Sequence, residues 1–223
     1  MLLLAVDTST PRLGIALFDG TEVLAESSWT SAGNHTVELA PSVAQLLRRS
    51  SMTADSIGAL GVALGPGSFT SLRVGLAFCK GLALARSIPL VGIPSLDIVA
   101  GGQAASRLQL AAVLQAGRGR LAVGWYRWKR GRWQADGEPV LASADSLAES
   151  IKQPTLIVGD LTAPERQRLA RKRVNVTLAS PSQAMRRPAV LAELAWERWR
   201  SHSLDNLASL APKYLHLSEP AAS

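Results

Sequence analysis

The chain has 223 residues, 47% of them hydrophobic and 18% charged. That is the make-up of a soluble globular protein with one large domain or two small ones, and disorder is not the default reading. A formal charge of +7 and a pI near 10.3 favour a polyanionic neighbour such as nucleic acid, although ordinary solvated arginines produce the same balance.

Met1 to Val6 is apolar, but it lacks the basic lead-in of a signal peptide and meets Asp7 after one strand's length, so it reads as a buried strand. Leu13 to Phe18 and Thr21 to Glu26 are the next two strands, joined at Asp19-Gly20 in a hairpin. Helical spacing of apolar residues predicts a helix over 36–49, where Val37, Leu39, Ala40, Val43, Ala44, Leu46 and Leu47 recur. A strand over 57–64, a Gly-Pro-Gly loop at 65–67, a long helix over 71–86, a strand over 90–93 and a short helix over 95–105 complete the first half.

The second half repeats that order. Strands are predicted over 109–114, 121–128 and 132–140, then a helix over 144–151, a strand over 155–158, a helix over 164–171, a strand over 174–178 and an amphipathic helix over 188–202. The fold class is therefore α/β, with two tandem βββαβαβα halves: residues 1–105, and a smaller, divergent 106–223 beyond a Gly/Ala/Ser-rich linker. Such duplicated mixed sheets resemble the actin, sugar kinase and Hsp70 (ASKHA) superfamily, whose active members hold ATP between the halves; fold alone does not give function.

The longest apolar stretch, 88–100, is interrupted by Pro89, Pro94 and Asp97 and falls short of the ~18 to 20 residues of a bilayer span, so a cytoplasmic protein without membrane contact is expected. Cys79 is the single cysteine, which rules out an intramolecular disulfide and a multi-cysteine metal site and agrees with a reducing compartment.

Asp7-Thr8-Ser9-Thr10 ends the first strand with an acid and three hydroxyls, the place where the ASKHA superfamily positions phosphate and metal; turn formation accounts for the same residues. The run Gly61-Val62-Ala63-Leu64-Gly65-Pro66-Gly67-Ser68-Phe69-Thr70-Ser71-Leu72-Arg73-Val74-Gly75, with His35-Thr36 and Leu39-Ala40-Pro41 before it, resembles the TsaB (YeaZ) family over roughly residues 1–100. Gly65 and Gly67 allow a tight turn around Pro66, and Ser68, Thr70 or Ser71 can cap the helix that follows.

The family's catalytic relative TsaD (Kae1) carries a metal-binding histidine pair after the next strand. This chain reads Pro94-Ser95-Leu96-Asp97-Ile98-Val99 there, and His35, His202 and His216 form no ligand pair. A second acidic phosphate loop is missing as well, Gln115-Ala116-Gly117 standing where many family members have Asp-Ala-Arg; Ala211-Pro212-Lys213-Tyr214-Leu215 resembles the family's usual ending.

The resemblance implies a non-catalytic subunit of the complex that makes N6-threonylcarbamoyladenosine (t6A) in tRNA. It would pair with TsaD, or with itself when alone, in an assembly that includes the ATPase TsaE, with ATP and metal on the partner subunits. An enzyme of the same superfamily, a small-molecule kinase or a glycoprotease-like (M22) peptidase, is the alternative. Wide apolar coverage of the 36–49 and 71–86 helices fits either burial in one fold or a partner interface; with the resemblance, the interface is expected at Leu39, Val43, Leu46, Leu72, Leu76 and Phe78. The small residues Gly75, Ala77, Gly81 and Ala83 would admit a second helix closely.

Trp125-Tyr126-Arg127-Trp128-Lys129-Arg130-Gly131-Arg132-Trp133 is a hairpin interleaving aromatic and basic residues. It reads either as a basic surface ribbon or as an RNA contact through Arg127, Lys129, Arg130 and Arg132, aided by Arg166, Arg168, Arg171, Lys172 and Arg173.

Overall fold

The computed structural model describes residues 1–172 and 174–215. The first half runs β1 (Leu2–Asp7), β2 (Arg12–Phe18), β3 (Val23–Thr30), α1 (His35–Arg49), β4 (Ile57–Ala63), α2 (Phe69–Arg86), β5 (Leu90–Ile93) and α3 (Ser95–Gly101). The second runs β6 (Gln109–Gln115), β7 (Leu121–Lys129), β8 (Arg132–Ala135), β9 (Val140–Ala142), α4 (Ala144–Ser150), β10 (Thr155–Gly159), α5 (Ala163–Ala170), β11 (Val176–Leu178) and α6 (Pro188–Arg200).

The first sheet has the order β3-β2-β1-β4-β5 and the second β8-β7-β6-β10-β11. In each, three antiparallel strands are followed by two parallel ones. This is the duplicated ASKHA topology that element order predicts.

Several boundaries move for identifiable reasons. The strand expected over 21–26 begins at Val23, because Asp19 Oδ1 accepts from the amides of Thr21 and Glu22, both at 2.8 Å, and holds the turn together. The strand expected over 132–140 splits into β8 and β9 around Gly137, whose φ is +100°; both pieces pair with the outer edge of β7.

Both faces of the first sheet are covered, which explains why β1 is a continuous apolar run. Leu2, Leu4 and Val6 pack beneath α1 and α2, while Leu3 and Ala5 meet Leu191, Ala192 and Ala195 of α6. The final helix thus returns to the first half. Leu207 and Leu210 also pack there, and Asp205 accepts from the Gly92 amide at 2.8 Å. The division at 105 therefore describes the two sheets but not the two cores, since the chain's last described segment belongs with the first. In the second half α4 and α5 cover the face formed by Ala111, Val113 and Ile157, and α3 covers the other.

Candidate functional site

The loop after β1 is buried throughout: Asp7, Thr8, Ser9 and Thr10 are all 5% exposed or less. Asp7 Oδ1 accepts from Ser9 N at 2.9 Å and Ser9 Oγ at 2.5 Å. Asp7 Oδ2 accepts from Nε of Arg186, whose Nη2 donates to Thr10 Oγ1 at 2.9 Å. Arg186 Nη1 lies 3.6 Å from Asp160 Oδ2, at the end of β10 in the other half. Burial disfavours the guanidinium's charge, but the carboxylates of Asp7 and Asp160 outweigh it and hold Arg186 protonated. Asp160 is shifted upward, chiefly by burial.

Both Asp7 oxygens accept from the chain's own donors, and Gln115 Nε2 donates to Glu165 Oε2 at 2.7 Å, tying the opposite loop to α5. Asp7, the acid expected to face a magnesium-bound phosphate, is thus committed to Ser9 and Arg186, and Asp160 faces the same guanidinium, an arrangement that does not favour a magnesium nucleotide. Among the described residues, no group of three or more His, Cys, Asp and Glu side chains converges as a metal site. His35 is buried with Nε2 3.1 Å from Thr10 O, a bond that fastens the start of α1 to this loop.

Gly65-Pro66-Gly67 is the meeting point of three segments. Ser68 N donates to Ser9 O at 2.7 Å, Ser95 N donates to Gly65 O at 2.8 Å, and Lys213 N donates to Leu64 O at 2.7 Å. A Cβ on Gly67 would lie 2.1 Å from Ser9 O, and one on Gly65, whose φ is +102°, 2.6 Å from Lys213 O. Gly75 has the same function one turn into α2, since a Cβ there would meet Thr8 Oγ1 at 2.3 Å. Ser68 caps α2, its Oγ accepting from Ser71 N at 3.5 Å.

The expected interface residues divide. Leu39, Val43, Leu46, Leu72 and Leu76 are buried within the chain's own fold, and of the six only Phe78 is part-exposed. The residues that α1 and α2 turn outward are Thr36, Val37, Ala40, Pro41, Ala44, Gln45, Arg48 and Arg49, and Phe69, Thr70, Arg73, Ala77, Gly81, Leu84 and Ala85. Gly75 and Ala83 face inward, whereas Ala77 and Gly81 are exposed and a Cβ on Gly81 would meet nothing. Between the helices runs an open apolar groove of about 470 Å³, bordered by Ala40, Phe69, Arg73, Ala77 and Phe78 among others. At its end Arg73 lies 3.7 Å over the Phe69 ring and donates from Nε to Tyr214 Oη at 3.2 Å, while Tyr214 stacks on Phe69 at 5.0 Å.

The hairpin forms, with Arg130 and Gly131 both at positive φ in its turn. Most of its aromatic residues do not share a face with its basic ones. Trp128 pairs across the ribbon with Trp133, and Lys129 with Arg132, so strand alternation sends these pairs to opposite sides. Trp125, on the side of Arg127 and Lys129, packs into the core. Trp133 donates from Nε1 to Gln103 O at 3.1 Å and packs against Trp128, fixing the linker. Arg127 is paired with Asp136 at 2.7 Å. Lys129, Arg130 and Arg132 are exposed. Arg166 donates to Ala179 O, Arg168 pairs with Asp145, Arg171 is exposed and Lys172 half-buried; Arg173 and His216 lie outside the described residues.

Sequence reasoning missed Arg186, which stands 179 residues from Asp7 and has no local pattern to mark it. The Tyr214 stack was missed too, and the small-residue spacing that marked Ala77 and Gly81 on α2 did not separate them from inward-facing Gly75 and Ala83.

The family model described as "TsaD: tRNA N6-adenosine threonylcarbamoyltransferase" matches residues 22–219. The tRNA threonylcarbamoyladenosine biosynthesis protein TsaB of Bacillus subtilis is 31% identical over 228 residues, spanning 100% of this chain and 97% of that protein. The protein of the same name from Escherichia coli is 29% identical over 158 residues, 69% of this chain and 67% of its own length. Among solved structures, YeaZ from Pseudomonas aeruginosa has a TM-score of 0.79 at 22% identity, covering 96% of this chain and 99% of its own. The ROK hexokinase from Thermus thermophilus, at TM-score 0.50 and 10% identity over 90% of this chain and 100% of its own, extends the likeness of fold to sugar kinases. With the Gly-Pro-Gly loop, the duplicated sheets and a relative matched over its whole length, this chain belongs to the TsaB (YeaZ) family.

Proposed function

We propose that this protein is the non-catalytic partner subunit in t6A biosynthesis, pairing with TsaD through the outward faces of α1 and α2. The exposed apolar groove between these helices carries the reading. Its floor is supported by the chain's own core, while Ala40, Ala77 and Gly81 leave the helix surfaces low enough for another pair of helices to pack against them. An exposed apolar groove of this kind favours association through apolar area removed from water.

The transfer chemistry belongs to TsaD in this account, and ATP and metal are held by TsaD and TsaE. Full engagement of Asp7 by Ser9 and Arg186 supports the scaffold over the kinase alternative, and Pro94 to Val99, with no histidine, supports it over the peptidase. Alone, the chain pairs with itself through the same groove. It meets tRNA only within the complex, where exposed Lys129, Arg130 and Arg132 add attraction without stacking. No helix among the described residues is long and apolar enough to cross a membrane.

Reconstitution tests this function. TsaD and TsaE of the same organism, given tRNA, ATP and threonylcarbamoyl-adenylate, are expected to form t6A only when this chain is added, and not when it carries Ala77→Asp. Formation at full rate without the chain would refute the proposal.

A further inference from the structure

The ASKHA fold brings Asp7, at the end of β1, opposite Asp160, at the end of β10, across the junction of its two halves. Asp7 is buried there and requires a cation, because an uncompensated buried charge is strongly unfavourable; Asp160, 37% exposed, adds a second carboxylate at the rim. We infer that this junction is a guanidinium site filled by the chain's own Arg186, which takes the place of a metal-bound nucleotide and clamps the halves together.

Four observations carry this. The Arg186 side chain is 2% exposed, so its charge is committed to this place. Its planar fork reaches Asp7, Thr10 and Asp160 with three different nitrogens, a match that a spherical ion or an ammonium does not reproduce. The Asp7 oxygen turned away from Arg186 accepts from both the amide and the hydroxyl of Ser9, so each Asp7 oxygen is engaged within the chain. Finally, Arg186 stands just before α6, the helix that returns to the first sheet, so the clamp sits where the chain crosses from one half to the other.

The inference is independent of pairing with TsaD, since it concerns only contacts within the chain. Its test is the thermal unfolding of the full chain carrying Arg186→Ala, with and without millimolar guanidinium chloride, against sodium chloride at equal ionic strength. Loss of the clamp is expected to lower Tm by roughly 10 °C. Added guanidinium, entering the vacated site, is expected to restore more than half of that loss, and sodium none. An unchanged Tm, or equal effects of the two salts, overturns the inference.

Should Arg186→Ala fail to fold, Arg186→Lys and the unsubstituted chain decide the matter. The lysine variant is expected to fold with a lowered Tm, because one ammonium cannot span three acceptors. Titration of the unsubstituted chain with magnesium and a non-hydrolysable ATP analogue is expected to give no binding heat. Binding that disappears in Asp7→Asn, or a lysine variant as stable as the parent, overturns the inference.

Discussion

Gly67 lies against Ser9 so closely that a Cβ on it would stand 2.1 Å from the Ser9 carbonyl oxygen. The Gly-Pro-Gly loop is therefore a seam between the loop after β1 and the start of α2, and its glycines are a packing requirement. Gly67→Ala is expected to destabilise the chain by about 2 kcal/mol, since neither backbone can yield without breaking the 2.7 Å bond from Ser68 N to Ser9 O. Gly81→Ala, open to solvent on α2, is the control and is expected to stabilise by up to about 1 kcal/mol. Denaturant unfolding of both variants checks the pair.

Leu76 and Ala77 are neighbours with opposite assignments. Leu76 is 6% exposed in the core beneath α2, whereas Ala77 is exposed on the groove. Leu76→Asp is expected to abolish folding, so loss of pairing by that variant carries no information about the interface. Ala77→Asp is expected to fold with a loss of about 0.5 to 1 kcal/mol from helix propensity, and to lose association. Circular dichroism melts alongside light scattering separate the two effects.

Asp97 is shifted above its ordinary value of 3.8, mainly by burial, while the Tyr126 hydroxyl at 2.6 Å and nearby Lys213 pull the other way. A carboxyl whose pKa is raised by folding stabilises the fold fully below its unfolded pKa, and that contribution is lost as pH rises through the folded one. Asp97→Asn keeps an acceptor for Tyr126 and removes the penalty of burying a charge. Its Tm relative to the parent is expected to be higher near neutral pH than below the carboxylate range, in paired melts at the two conditions. An equal or reversed difference would contradict the assignment.

Lys129, Arg130 and Arg132 form an exposed cationic end on the β7–β8 ribbon, with the tryptophans on its other side or in its packing. Changing all three to Gln is expected to weaken tRNA binding by the assembled complex at low salt and to reduce the slope of log K against log salt by roughly 1 to 2. Trp133→Phe, which removes the bond to Gln103 O, is expected to lower stability and leave that slope unchanged.

Much of the fold was readable because β1, β2, β4, β5, β6 and β10 are short apolar runs bounded by turn residues, and because the strand order recurs. The limits were set by distance along the chain. Helical periodicity shows that α1 and α2 are apolar, but not which neighbour each side meets, so Leu39, Val43, Leu46 and Leu76 were assigned to a partner when β1, β2 and β4 already bury them, as was Leu72, which is buried beside the Gly65 loop. The outward surface mixes small Ala40, Ala77 and Gly81 with Val37, Phe69, Arg73 and Leu84, and the spacing that marked Ala77 and Gly81 could not show that they, and not Gly75 and Ala83, face outward. Asp7 was legible as the acid at a strand end; its neutralisation by Arg186 depends on how α6 returns to the first sheet, which no local pattern encodes.

The most direct measurement is the solution mass, by light scattering after size exclusion, of this protein alone, mixed with TsaD of the same organism, and mixed as the Ala77→Asp variant. The account predicts a self-associated form that gives way to a stable hetero-complex with TsaD, and a folded variant that stays monomeric in both. A folded Ala77→Asp variant that pairs as the parent does, or no association of the parent with TsaD, would contradict it.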